Sequence, residues 1–126
     1  MSKQDQRLSQ RYRDLIAWPK GMRLAKSIYR LPARFPAEEK YGLVSQMRRA
    51  AVSMPSHLAE GQARRTTGEF LQFISHAEGS VAELGTRLTL AVELSSGFAS
   101  DGAEADGLIP QLRKMLDALR RSVANS

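Results

Sequence analysis

Residues 66–95 read TTGEFLQFISHAEGSVAELGTRLTLAVELS, and this stretch decides the fold. Its apolar and small side chains recur at alternating steps of four and three residues, which is the heptad pattern of a packed helix. The positions of this stripe are Phe70, Ile74, Ala77, Val81, Leu84, Leu88, Ala91 and Ser95. Thr66 and Glu69 stand just before the run at the spacing of a capping box. The stretch therefore predicts helix 3, a rod about 45 Å long at ~1.5 Å per residue.

Helix 1 is predicted on the N-terminal side of this stretch, from about Arg11 to Leu31. Its main apolar stripe, at helical spacing, consists of Leu15, Trp18, Met22, Ala25 and Tyr29. A neighbouring set widens that stripe and provides the surplus apolar face that is typical of a subunit interface: Leu24, Ile28 and Leu31. Pro19 lies inside the run and indicates either a kink or a helix that properly begins there.

Two further helices complete the predicted fold. Helix 2 runs from about Pro36 to Arg65, and Pro55 predicts a bend within it. After a polar connection at residues 97–107, helix 4 begins near Leu108 with a proline in its first turn. Helices of this length joined by short loops predict an all-α, up-down four-helix bundle.

Length and composition exclude several classes of protein. A chain of 126 residues suffices for one domain, and we expect a single bundle at residues 11–126 after a flexible basic segment at residues 1–10. The absence of Cys excludes disulfides, thiolate metal sites and a cysteine nucleophile. No apolar run approaches the ~18 residues of a membrane span, and the N-terminus lacks an apolar signal core. We therefore expect a cytoplasmic protein that contacts no membrane.

Positive charge is concentrated in the N-terminal part of the chain. Residues 1–36 carry nine basic and two acidic side chains, a net charge of +7, whereas residues 37–126 sum to −1. The basic side chains follow one face of helix 1, opposite its main apolar stripe. This basic row consists of Arg13, Lys20, Arg23, Lys26, Arg30 and Arg34. A localised field of one sign indicates an anionic partner.

Nucleic acid is the partner that the basic row favours, and the alternatives are a solvated face or an acidic protein partner. Successive phosphates along a nucleic acid could contact such a row, and binding would then depend steeply on salt. Trp18 and Tyr29 fall on the predicted apolar side of helix 1. Base stacking is therefore not indicated, and contact with the phosphate backbone is expected instead.

No pattern of residues indicates a metal or catalytic site. Di-metal sites in bundles use Glu followed three residues later by His, and neither His57 nor His76 follows a Glu at that spacing. The sequence also lacks the setting of an activated nucleophile and a phosphate-binding glycine loop. Gly61 and the Gly79–Ser80 pair are expected instead to let helices approach closely. We expect no enzymatic activity, no metal and no cofactor.

Four blocks of the sequence together resemble one protein family. The blocks are DLIAW at 14–18, IYRLPARFPAEEKYG at 28–42, GLVSQMRRAAVSMPSHLAEG at 42–61 and HAEGSVAELGTRL at 76–88. In their order and spacing they resemble the four-helix bundle proteins of the 23S ribosomal RNA intervening-sequence family, over about residues 14–120. His57 departs from the family pattern, which commonly has Asn at that position.

The resemblance implies an assembly and a set of partners. Members resemble small bundles that form ring-shaped homopentamers, and for most of them no biochemical function is established. A related branch, the accessory variability determinant of diversity-generating retroelements, binds nucleic acid and a reverse transcriptase. The resemblance therefore implies a homo-oligomer that meets RNA, DNA, or a reverse transcriptase or other nucleic-acid-associated protein.

A set of polar residues also stands within the matched blocks: Gln46, Arg49, Glu60 and Glu83. We expect them mainly to form interhelical ion pairs and hydrogen bonds that set the register of the bundle, with a functional pocket as the alternative. Arg48 and Arg49 are adjacent, so at most one of them should face the seam of helix 2. The sequence as a whole predicts a non-enzymatic, homo-oligomeric bundle that binds nucleic acid through helix 1. The alternative is a scaffold that docks an acidic or nucleic-acid-associated protein.

Overall fold

The computed structural model describes residues 3–31, 40–94 and 98–125, with side chains at residues 16–31, 42–94 and 99–125. The α-helices are α1 (Lys3–Tyr29), α2 (Ser45–Gln62), α3 (Thr67–Leu94), α4 (Phe98–Asp101) and α5 (Ala103–Ala124). A π-helical turn, Lys40–Val44, leads directly into α2. These ranges contain no strand, so the all-α class is confirmed for them. None of the described helices is long and apolar enough to cross a membrane.

The four long helices pack side by side around one hydrophobic core. Each of them contacts two neighbours in the cyclic order α1, α2, α3, α5, and α4 is a single turn that touches both α3 and α5. Neighbouring helices run antiparallel. In the α2–α3 pair, for example, Gly61 lies against Phe70, while Ser53, earlier in α2, bonds to Ser80, later in α3.

The heptad stripe of α3 forms the central apolar face, as its spacing predicts. Its members from Ile74 to Ala91 are all buried, and Phe70 is half-buried against the core. The predicted cap is also present, because the Thr66 hydroxyl accepts a hydrogen bond from the backbone N–H of Glu69 at 3.1 Å. The same hydroxyl donates to the Glu69 carboxylate at 3.0 Å. The cap at Thr66 therefore starts the helix just before its buried stripe, so the local signal and the packing agree on where α3 begins.

The apolar stripe assigned to helix 1 is wrong, because α1 is rotated from the predicted orientation. Trp18 and Tyr29 of that stripe are 42% and 52% exposed. The buried positions are Ala17, Gly21, Leu24, Ala25, Ser27, Ile28 and Leu31, so Ala25 is the one described member of the predicted stripe that is fully buried. Leu24, Ile28 and Leu31, which were expected at a subunit interface, lie in the core of the bundle instead. Gly21 lets α1 approach α2 closely, because a Cβ added there would overlap Met54 Sδ. The size of the apolar side chains favoured the side of α1 that carries Trp18 and Tyr29. The side that packs in the bundle is instead the one whose shape fits the neighbouring helices.

Several predicted helix boundaries also differ from the structure. Helix α1 begins at Lys3 rather than Arg11 and continues through Pro19. The flexibility of residues 1–10 stays a prediction. Helix α5 begins at Ala103 rather than Leu108, so its proline lies in the helix interior. The early start has two physical causes: acidic residues occupy the first turn, where the helix dipole favours them, and Ala105 is buried.

Helix α2 continues through Pro55 without interruption and ends at Gln62, before the predicted end at Arg65. The predicted start near Pro36 lies outside the described residues. Pro55 is itself buried and packs in the core. The short helix α4 occupies part of residues 97–107, which the sequence analysis assigned to a polar connection.

Gly61 lies at a close approach of α2 to α3. A Cβ added there would lie 2.9 Å from Phe70 Cδ1 and 2.9 Å from Phe73 Cβ, closer than real Cβ atoms come to their neighbours. Gly79 differs from its predicted role, because it is exposed and a Cβ there would meet nothing within 4 Å. Its neighbour Ser80 is buried and donates to the backbone carbonyl of His76 at 3.0 Å.

This difference gives a paired test of the packing. Gly61→Ala should lower the free energy of unfolding by about 1–3 kcal/mol, because Phe73 cannot withdraw its Cβ without moving the helix. Gly79→Ala should raise it by about 0.5–1 kcal/mol through the better helix propensity of Ala. Urea unfolding at one protein concentration, followed by circular dichroism, measures both. Equal effects of the two substitutions would contradict the close approach at Gly61.

Candidate nucleic-acid interface

The basic row lies along α1, and the structure describes the side chains of its four central members. Lys20, Arg23, Lys26 and Arg30 project from the surface of the helix, and only Lys20 is partly covered. The side chain of Arg13 and the whole of Arg34 lie outside the described residues. The described members separate into two pairs, one facing α5 and one facing solvent.

Lys20 and Arg23 reach across the seam between α1 and α5. Lys20 Nζ donates to Gln111 Oε1 at 2.6 Å, and Arg23 Nε donates to Glu104 Oε1 at 3.1 Å. The side chains of the Arg23–Glu104 ion pair are 64% and 44% exposed. An ion pair this open to water contributes only about 0–1 kcal/mol, so Arg23 can exchange Glu104 for another anion at little cost.

Lys26 and Arg30 are exposed beyond that seam, one turn apart on α1, or about 6 Å along the helix axis. No described side chain forms an ion pair or hydrogen bond with either of them. Residues 16–31 contain no Asp or Glu. Within the part of the chain that the structure describes, Glu104 is therefore the one carboxylate paired with the row.

Two residues of α5 bond to the basic row and were missed by the sequence analysis: Glu104 and Gln111. They are seven residues apart, so they share one side of α5. Lys114, three residues past Gln111, is exposed. The spacing was visible in the sequence, but only the packing of α1 against α5 shows that this side faces Lys20 and Arg23.

Among the described side chains, the polar set from the matched blocks has no ion pair or hydrogen bond between helices. All four residues, Gln46, Arg49, Glu60 and Glu83, are exposed. Glu83 pairs with Arg87 one turn along the same helix. The described ion pairs between helices use other residues.

The ion pair of Glu78 on α3 with Arg120 on α5 connects those two helices. Arg120 Nε donates to Glu78 Oε1 at 2.7 Å, and its Nη2 donates to Ser75 Oγ at 2.8 Å and to the same carboxylate oxygen. Both charged side chains are partly covered. This contact has the structural role that the sequence analysis gave to the polar set.

The adjacent arginines of α2 behave as predicted, with one at a seam and one in solvent. The guanidinium carbon of Arg48 lies 5.2 Å from the centroid of the Tyr29 ring, a cation–π distance. Its Nε is buried and has no hydrogen-bond partner. Arg49 is exposed. Arg48 therefore joins α2 to the aromatic side of α1.

The two histidines meet at the α2–α3 seam without forming a metal site. Their ring centroids lie 5.2 Å apart, and Phe73 packs against both rings. Nδ1 of His57 is buried without a hydrogen-bond partner. Among the described side chains, no group of three or more His, Cys, Asp or Glu is placed to hold a metal ion.

The comparison with protein families extends across this surface and the rest of the bundle. Residues 13–118 match the 23S rRNA-intervening sequence protein family. The chain belongs to this family. A comparison with curated proteins found no match. The 23S rRNA-intervening sequence protein match spans the row from Arg13 to Arg34 and the α5 residues that border it.

The two interhelical ion pairs predict different responses to neutralising a carboxylate. Glu78→Gln should lower the free energy of unfolding by about 1–2 kcal/mol, because Arg120 loses a charge-assisted, partly covered partner. Glu104→Gln should change it by about 0–0.5 kcal/mol, because its pair with Arg23 is open to water. Thermal and urea unfolding of both variants check this. A large loss in Glu104→Gln would show that Arg23 is committed to α5.

Proposed function

We propose that this protein is a non-enzymatic, cytoplasmic, nucleic-acid-binding member of its family, which contacts phosphates through the basic row of α1. One observation carries the proposal: an exposed row of cations on a helix whose residues 16–31 contain no acidic side chain. The rest of the chain does not share this excess, since residues 37–126 are nearly neutral in sum. A field of one sign at one face attracts a polyanion and steers its approach.

The geometry supports phosphate contact by the members of the row that lack a strong partner. Lys26 and Arg30 are exposed and can each neutralise a phosphate, which releases counterions into solution. Arg23 can exchange its open ion pair for a bidentate contact with a phosphate. Contacts of this kind hold the backbone and carry little sequence information.

The proposal includes an assembly. Each subunit is an up-down four-helix bundle, and five identical subunits form a ring. The family resemblance supports it. So do two large apolar side chains of α3, Leu90 and Leu94, which the bundle leaves about half exposed. An oligomer would present one basic row per subunit to the same strand, and several weak contacts acting together raise the overall affinity.

The second candidate function is a scaffold whose basic row docks an acidic or nucleic-acid-associated protein, such as a reverse transcriptase. The same unpaired cations support it, because a carboxylate-rich surface could replace phosphates. The two functions differ in their behaviour toward bare nucleic acid. Absence of binding at about 50 mM salt, where electrostatic contacts are strong, would favour the scaffold.

The central test removes two charges from the row. Lys26→Gln/Arg30→Gln should weaken binding to labelled RNA and DNA about tenfold and flatten the salt slope by about one unit per residue. The matched control is Arg65→Gln/Arg113→Gln, which removes two exposed cations away from α1 and leaves the same net charge. Fluorescence anisotropy at several salt concentrations measures affinity, and light scattering in the same samples measures mass. Equal losses in both variants would contradict a site on α1.

A second test should strengthen binding rather than weaken it. Glu104→Gln removes the carboxylate paired with Arg23 and frees this guanidinium for a phosphate. We expect affinity to rise about threefold or more, with a salt slope steeper by about one unit. Asp117→Gln is the control, because it removes another exposed carboxylate, which pairs with Arg121 on another part of α5. An unchanged slope in Glu104→Gln would exclude Arg23 from the interface.

A further inference from the structure

Helix α1 exposes an aromatic arc that the bundle does not use. Trp18 and Tyr29 are about half exposed, and Met22 between them is half-buried. Val52 of α2 continues the apolar surface on the neighbouring helix. The side of α1 that packs is the one of Ala17 and Leu24, so this arc has another use or none.

The two aromatic rings lie in line along the helix. They are eleven residues apart, which is three turns and about 16 Å. At ~100° per residue, Trp18 and Tyr29 differ by only about 20° around the axis. By this spacing they lie on one side of α1.

The aromatic arc and the free cations share the solvent-facing half of α1. At the same ~100° per residue, Lys26 lies about 60° from Tyr29 around the axis, and Arg30 follows Tyr29 directly in the chain. Both cations are exposed. The surface thus sets a track of positive charge beside a line of aromatic rings.

Arg48 reaches the Tyr29 ring from the neighbouring helix. Its guanidinium lies over the Tyr29 ring at 5.2 Å from the centroid, while about half of the tyrosine side remains open to solvent. Arg48 therefore adds a cation beside a tyrosine that stays half exposed and can contact a second flat group.

We propose that Trp18 and Tyr29 stack against unpaired bases of a single-stranded nucleic acid while Lys26 and Arg30 hold its phosphates. This inference rests on the proposed function and names its substrate class. Only a single strand offers open base faces to a protein ring, because a duplex stacks its bases against one another. Stacking is tolerant of sequence, since every base has an aromatic face. The inference reverses the expectation drawn from the sequence, in which these rings belonged to the apolar side.

Charge complementarity favours this occupant over a second copy of the same face. The cations Lys26, Arg30 and Arg48 border the arc. Among the described residues of α1 and α2, Glu60 is the one carboxylate whose side chain is placed. Two such faces brought together would repel each other, whereas a polyanion brings the opposite charge.

The chain contains its own probe for the test, because Trp18 is its one tryptophan. Titration with a 20-nucleotide single strand, oligo(dT) or oligo(U), should quench the Trp18 fluorescence of the full chain. A duplex of equal phosphate content should bind with little quenching. Anisotropy of labelled strands reports binding in the same titrations, independently of stacking. Quenching by either single strand supports base stacking on Trp18. Comparing oligo(dT) with oligo(U) shows whether the protein binds DNA, RNA or both.

Variants of the two rings supply the second readout. Trp18→Leu/Tyr29→Leu keeps apolar bulk at exposed positions and removes both rings. It should weaken single-strand binding about tenfold or more and change duplex binding less than about twofold. Tyr29→Phe keeps a ring and should bind as the parent protein does. Circular dichroism confirms that each variant is folded.

The outcomes separate this inference from the function on which it rests. If single strands bind without quenching Trp18 fluorescence, and bind Trp18→Leu/Tyr29→Leu equally well, stacking is overturned. Phosphate binding by the basic row is then still supported. Absence of binding to any strand overturns both. Two further results together would overturn stacking: a lower mass of Trp18→Leu/Tyr29→Leu in light scattering, and blue-shifted Trp18 emission of the parent protein before any nucleic acid is added. The arc would then be a subunit interface.

Discussion

The seating of α1 on α2 is the contact on which the surface of this protein depends. Gly21 presents no side chain to α2, and Met54 fills the space that a Cβ there would need. This close approach sets the rotation of α1 about its own axis. Once that rotation is set, Lys20 and Arg23 face α5, and Trp18 and Tyr29 face water. A side chain at position 21 would require the end of the Met54 side chain to move.

The charges of the bundle divide into those that join helices and those that remain available. Glu78, Arg120 and Ser75 form a partly covered network that connects α3 to α5. The pairs within one helix, such as Glu83 with Arg87, neutralise charge locally. Among the described side chains, by contrast, Glu104 is the one carboxylate that pairs with the four cations of the row on α1. This local excess of positive charge is the physical basis of the proposal that the partner is a polyanion.

Aromatic rings beside free cations give that partner a more definite chemistry. Phosphate contacts alone would treat single strands and duplexes alike apart from their charge density. Exposed rings discriminate between them, since stacking requires a base that is not already stacked in a duplex. The proposed stacking would therefore turn a general electrostatic attraction into a testable preference for single strands. Within the protein, the Tyr29 ring already has the Arg48 guanidinium at a cation–π distance.

The sequence by itself determined the elements whose signals are local. The heptad stripe from Ile74 to Ala91, the cap at Thr66, the charge imbalance of residues 1–36 and the family membership were all readable from residue type and spacing. Only the tertiary structure decided which of two apolar arcs of α1 packs, where α5 begins, and which α5 residues meet Lys20 and Arg23. The reason is that periodicity shows which residues share a face of a helix. Which face is buried depends on the shape and charge of the neighbouring helix, and at Ala17 and Gly21 small size outweighed the greater hydrophobic bulk of Trp18 and Tyr29.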